Sequence, residues 1–166
     1  IQGLVSWARR CVEETVPVQG HIGLTPQTAS ALAGFKMQGR DASAAKQIID
    51  DAKALEDAGV FSMILEAVPA PLGKLVAEAV EVPVIGIGAG PDVDGQVLVT
   101  HDMVGLFDKF VPKFVKQYTR IRPVILEALG AYKKEVQDGV FPGPEHSFKM
   151  PAEALGQLKQ MIENSK

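Results

Sequence analysis

The sequence predicts an α/β fold built on a parallel sheet. Two apolar runs of strand length, VFSMILEAV (60–68) and VPVIGIG (82–88), lack the polar alternation of a half-solvated strand and read as strands buried on both faces. Segments of helical apolar spacing alternate with them across short connections, which is the order of βα units. A third observation is length. The 166 residues match one ordinary domain, whereas a closed eightfold barrel takes ~250 residues, so four strands make half a barrel or a small open sheet.

In chain order, Leu4, Val5, Ala8, Cys11 and Val12 lie on one face of a helix over 4–14. VPVQGHIG (16–23) then turns to a β-branched run closed by glycines. Thr25-Pro26 supplies an N-cap and a first-turn proline for a short helix to about Ala33. GFKMQGR (34–40) is glycine-flanked and reads as a loop. Ala45, Ile48, Ile49, Ala52 and Leu55 share a side of a helix spanning Asp41 to Ala58, with Gly59 as its stop. After the 60–68 strand come a helix at about 70–80, the 82–88 strand and the glycine-rich loop AGPDVDG. QVLVTHDMVG (96–105) is taken as the fourth strand, with a helical turn as the alternative. Beyond Pro112 the pattern is helical to about Asp138, kinked or divided at Pro123, and an amphipathic helix from Pro151 ends the chain.

Composition excludes several classes of function. With 17 Lys+Arg against 20 Asp+Glu the net charge is -3, and no basic block longer than a pair exists to form a polyanion-binding face, so nucleic acid is not an expected partner. The apolar runs fall far short of the ~20 residues that cross a bilayer, so no membrane is expected. One cysteine, Cys11, forms no internal disulfide, and no signal-peptide pattern opens the chain, so a cytoplasmic location is expected. The start, IQGLVSWARR, has no initiator Met and lies inside a helical pattern, as if cut from something longer.

Ligands meet parallel βα architectures where strands end. Glu66 ends such a strand. A carboxylate there that faces a cleft, partly withdrawn from water, can accept and return a proton; alternatively it caps the next helix or pairs with a lysine. His21 sits between two glycines at the same rim, where an imidazole can donate to a substrate oxygen; a histidine bonded to a neighbouring strand is the commoner outcome. GIGAG (86–90) offers backbone N–H groups to an anion, but no helix opens within it and tight packing explains its glycines equally well. His101 and Asp102 are adjacent and cannot easily share one ion. His146 is expected in packing or at an interface, Cys11 in the core, and Arg9-Arg10 and Lys133-Lys134 on solvated helix faces.

Six ordered stretches carry a family resemblance: GHIGLTPQ (20–27), FKMQGR (35–40), Leu65-Glu66 with Val68-Pro69, PVIGIGAG (83–90), DGQVLVTHD (94–102) and PGPEHSF (142–148). Together, from about Val16 to Phe148, they resemble the ketopantoate hydroxymethyltransferase (3-methyl-2-oxobutanoate hydroxymethyltransferase) family. The resemblance implies a (β/α)8 TIM-barrel type fold of the phosphoenolpyruvate mutase and isocitrate lyase superfamily, and a homo-oligomer, commonly decameric. It implies transfer of a one-carbon unit from 5,10-methylenetetrahydrofolate to 3-methyl-2-oxobutanoate, giving ketopantoate for pantothenate biosynthesis. It makes Glu66 the general base at C3 of the oxo acid and His21 a substrate contact. A carboxylate removes such a proton slowly unless a cation stabilises the enolate oxygen, which in the family is Mg2+.

The strand-end aspartates that hold that ion in the family, and a lysine near the substrate, have no match here and would precede residue 1. The expectation is therefore one partial barrel domain over 1–166, roughly the second half of the barrel, with a helical tail from about 112 and no metal ligands of its own. Such a half exposes two sheet edges and is expected to associate or fold poorly alone. Two alternatives remain: a related 2-oxo acid lyase or mutase, which GHIGLTPQ and HSF disfavour, and a non-catalytic half-barrel assembly fragment.

Overall fold

The computed structural model describes residues 16–26 and 36–165. The helix expected over 4–14, Cys11, the Arg9-Arg10 pair and the body of the helix expected after Pro26 lie outside them. The chain divides into two compact units, 1–119 and 120–166, each taken by itself.

The first unit is a four-stranded parallel sheet: β1 (Gln19–Gly23), β2 (Ser62–Glu66), β3 (Val84–Ile87) and β4 (Gly95–Gln96), in the spatial order of the sequence. Helix α1 (Ala42–Asp57) joins β1 to β2 and α2 (Ala70–Ala79) joins β2 to β3. Both start and stop where the sequence provides ends. Asp41 accepts the N–H of Ala44 at 2.8 Å through Oδ1 as the N-cap of α1, and Pro69 precedes α2, which has a second proline, Pro71, in its first turn. The Glu56 carboxylate, near the end of α1, accepts the N–H groups of Glu81 (2.6 Å) and Val82 (3.1 Å) and so secures the turn into β3.

Alternation along the strands sorts their side chains. Gly20, Ile22, Met63, Leu65, Val84 and Gly86 lie on one buried face, against Ile48, Ala52 and Leu55 of α1 and Leu72 and Val76 of α2. Met63, Leu65, Val76 and Val84 are fully buried, and each such aliphatic side chain contributes about 1.5–3 kcal/mol by leaving water. The other face carries His21, Gly23, Ile64, Glu66, Ile85 and Ile87, all half-buried. The expectation of strands buried on both faces is thus met on one face among the described residues, because both connecting helices pack on the same side.

Two further expectations are corrected. QVLVTHDMVG is not a strand: only Gly95–Gln96 pair with β3, the Val97 N–H adds one bond to Gly86 (3.0 Å), and Thr100–Met103 form a helical turn, α3. The β-branched Val-Leu-Val run has strand propensity, but pairing ends before it. Nor is 112–121 helical; a single turn closed by Val115 N–H and Pro112 C=O is followed by irregular chain.

In the second unit, Pro123 opens a helix instead of kinking one: α4 spans Arg122–Gln137, with the proline in its first turn where its missing N–H is no loss. A cis Phe141–Pro142 bond and a 3-10 turn at Pro144–His146 lead to α5 (Ala152–Glu163). Tyr132 and Phe141 meet edge to face and Phe141 and His146 at a tilt, with ring centroids 5.6 and 5.1 Å apart, and the Gly143 N–H donates to His146 Nδ1 at 3.3 Å. His146 therefore packs within its own turn. Lys134 pairs with Asp138 one turn along its solvated helix face. Among the described residues no helix is long and apolar enough to cross a membrane.

Candidate active site

The half-buried sheet face holds both strand-end candidates. In the parallel register Gly23 is opposite Glu66 and His21 is opposite Ile64, so His21 and Glu66 are diagonal neighbours on one face. Their side chains meet: His21 Nε2 lies 3.0 Å from Glu66 Oε2. The carboxylate is the acceptor, so Nε2 carries the proton in this contact, and an imidazolium would make it an ion pair. The Glu66 side chain is 15% exposed and that of His21 32%. The pair is largely withdrawn from water and keeps part of its surface exposed.

Among the described residues Glu66 neither caps the next helix nor pairs with a lysine. Helix α2 has no side-chain cap, and among the described residues the Glu66 carboxylate is hydrogen-bonded to His21 and to no lysine. For His21, the bond to a neighbouring strand is present, and its partner is the candidate base. One row deeper on the same face, Gln19 Nε2 donates to Ser62 Oγ at 2.8 Å, a contact that joins β1 to β2 beneath the pair.

Backbone at the strand ends holds Glu66 in place. Its C=O accepts the Leu24 N–H (2.9 Å); the Ala67 N–H donates to Ile87 C=O (2.9 Å), and the Val68 N–H to Gly88 C=O (3.2 Å). From the loop before α1, the Gln38 N–H donates to Ala67 C=O (2.9 Å), which brings that residue of the 36–40 stretch to this rim. Gly23 is required where it stands: its φ is +83°, and a Cβ there would lie 2.3 Å from the Glu66 carbonyl oxygen. Ala67 has φ +51° and is the non-glycine in the left-handed region among the described residues, a conformation that costs an L-residue about 1–2 kcal/mol. No sequence signal marks Ala67, since alanine is not a residue that favours this backbone.

The GIGAG glycines serve packing. A Cβ would meet Val93 at Gly86 (2.8 Å), the Phe114 ring at Gly88 (2.6 Å) and Ala70 at Gly90 (2.4 Å). Among the described residues no group of three His, Cys, Asp or Glu side chains could hold a metal ion. His101 and Asp102 lie in the α3 turn that follows β4.

A sequential parallel βα sheet with an imidazole–carboxylate pair at its strand ends defines an α/β chain equipped for proton transfer at the rim of the sheet. The family model for ketopantoate hydroxymethyltransferase matches residues 2–144, and the chain belongs to that family. Curated relatives called 3-methyl-2-oxobutanoate hydroxymethyltransferase include that of Heliobacterium modesticaldum, 56% identical over 148 residues, covering 89% of this chain and 54% of the relative. That of Syntrophobacter fumaroxidans is 58% identical over 139 residues, 84% of this chain and 49% of the relative. That of Clostridium beijerinckii is 53% identical over 147 residues, 89% and 54%. The chain spans about half the length of the curated relatives it matches.

Proposed function

We propose that this chain carries the proton-transfer half of a 3-methyl-2-oxobutanoate hydroxymethyltransferase, with Glu66 as the general base and His21 as a substrate contact. The observation that carries the reading is the 3.0 Å His21–Glu66 contact on the half-buried face of a family member's sheet. Glu66 takes the proton from C3 of 3-methyl-2-oxobutanoate, and the carbanion so formed bonds to the methylene carbon of 5,10-methylenetetrahydrofolate; the C–N bonds of that carbon break, water supplies the hydroxyl oxygen, and ketopantoate, a step toward pantothenate, leaves with tetrahydrofolate. His21 donates to Glu66 in the resting pair and turns its N–H toward the oxo acid when that binds. The carboxylate is then released to act as acceptor.

The described residues do not fit Mg2+, because the carboxylate at the rim is bonded to an imidazole and no further acidic group stands beside the pair to complete a donor set. No step through the ion is derived from them. On this reading its ligands belong to the part of the family's length that the chain does not span. The one-sided cover of the sheet and the sequential strand order support roughly half of a (β/α)8 barrel, a single domain over 1–166 whose tail is helical from Arg122. The half-covered face and the β1 edge are surfaces for the remaining strands and for a homo-oligomer. A cytoplasmic location is part of the same reading.

The test is formation of ketopantoate from the oxo acid and methylenetetrahydrofolate by the intact native protein and by its Glu66→Gln variant. Loss of product in the variant with an unchanged fold supports the reading, and undiminished product refutes it. The family match favours the transferase over a related lyase or mutase.

A further inference from the structure

Three adjacent strands end in a left-handed residue: Gly23 closes β1 at φ +83°, opposite Glu66, while Ala67 (+51°) and Gly88 (+68°) each follow the last paired residue of β2 and β3. At the two outer positions the residue is glycine, which adopts this backbone without strain. At the middle one, directly after Glu66, it is alanine. The turn itself would be served by glycine, so the methyl group stands there at an energetic disadvantage. Strain of this kind persists where the surroundings over-determine it, and the four hydrogen bonds made by residues 66–68 to Leu24, Gln38, Ile87 and Gly88 do so.

The left-handed region open to an L-residue is small, whereas that of glycine is broad and adjoins others. A Cβ at position 67 therefore narrows the angles through which the link after Glu66 can move. We propose that Ala67 is a positioning residue, whose methyl group confines the β2 end and so fixes the direction in which Glu66 presents its carboxylate to His21 and to the substrate. The inference rests on the reading of Glu66 as the base. A residue of purely structural use at a left-handed position is improved by glycine; a positioning residue is not.

The experiment compares Ala67→Gly and Ala67→Ser in the intact native protein. One readout needs no substrate: protection of the His21 Nε2 proton from solvent exchange, observed in 15N-labelled protein, which reports residence in the bond to Glu66. The other is kcat and KM. Ala67→Gly melts at or above the parent temperature, while protection and kcat each fall by about fivefold or more with KM little changed, since small misplacement of a reacting group is costly. Ala67→Ser keeps the Cβ and retains both. Protection and kcat within about twofold of the parent in Ala67→Gly overturn the proposal, as does an equal loss in Ala67→Ser. Should Ala67→Gly not fold, Ala67→Asn keeps a Cβ and tolerates the left-handed region; retained protection is expected, and its loss with an intact melt overturns the proposal. If Glu66→Gln leaves turnover intact, Glu66 is not the base, and the His21 proton still decides whether Ala67 holds the pair.

Discussion

His21 and Glu66 touch at 3.0 Å although they are not register partners; each faces a different residue across the β1–β2 ladder, and the contact is diagonal. The position opposite Glu66 is Gly23, which has no side chain to stand between ring and carboxylate. The pair is therefore a product of the register and of that glycine together.

Replacing His21 with Ala removes the donor that orients Glu66. Turnover falls by about 10–100-fold, the range expected when a reacting group loses its alignment, and the fold is retained because the imidazole is a third exposed. A double-mutant cycle with Glu66→Gln is non-additive, since residues that act as a unit lose the same function once. Steady-state kinetics of the four proteins checks this; additive losses would separate the two residues.

Gly23→Ala meets two obstacles: a left-handed φ of +83° and a Cβ 2.3 Å from the Glu66 carbonyl oxygen. Destabilisation of about 2 kcal/mol or more is expected, read as a lower denaturation midpoint at unchanged m-value. A neutral effect would mean that the β1–β2 approach is looser than the structure shows.

Met63→Ala removes a fully buried side chain from the centre of the helix-covered face. The expected loss is about 2–5 kcal/mol. Ile64→Ala, one residue along on the half-buried face, costs less, and denaturant titration of both distinguishes the covered face from the open one.

Asp41→Ala removes the N-cap of α1, whose 2.8 Å bond to Ala44 is solvent-exposed. The loss is about 1 kcal/mol, seen as a small fall in melting temperature with catalysis unchanged. Asp41→Asn recovers most of it.

The helices α1, α2 and α5 and strands β1 to β3 were legible because each carries its own signal: helical spacing around Ile48, Ala52 and Leu55, or apolar runs bounded by Gly59, Pro69 and Gly88. What depended on distant partners was not. Val97–Val99 has the composition of a strand, yet strand pairing stops at Gln96, and Phe114 to Tyr118 has helical spacing without a stable turn beyond Val115. The same distinction runs through the site. Glu66 and His21 each stand out at a strand end, but their contact follows from register, which no local pattern encodes. The backbone of Ala67 is set by bonds to Gln38 and Ile87, and nothing in an alanine announces it.

Deuterium exchange at C3 of 3-methyl-2-oxobutanoate, followed by proton NMR with folate omitted, isolates the step assigned to Glu66. With the intact native protein the C3 proton signal decays, and in Glu66→Gln, which keeps the shape but loses the proton acceptor, the rate falls by about 100-fold or more. Exchange at the same rate in both proteins would contradict the assignment of Glu66 as the base.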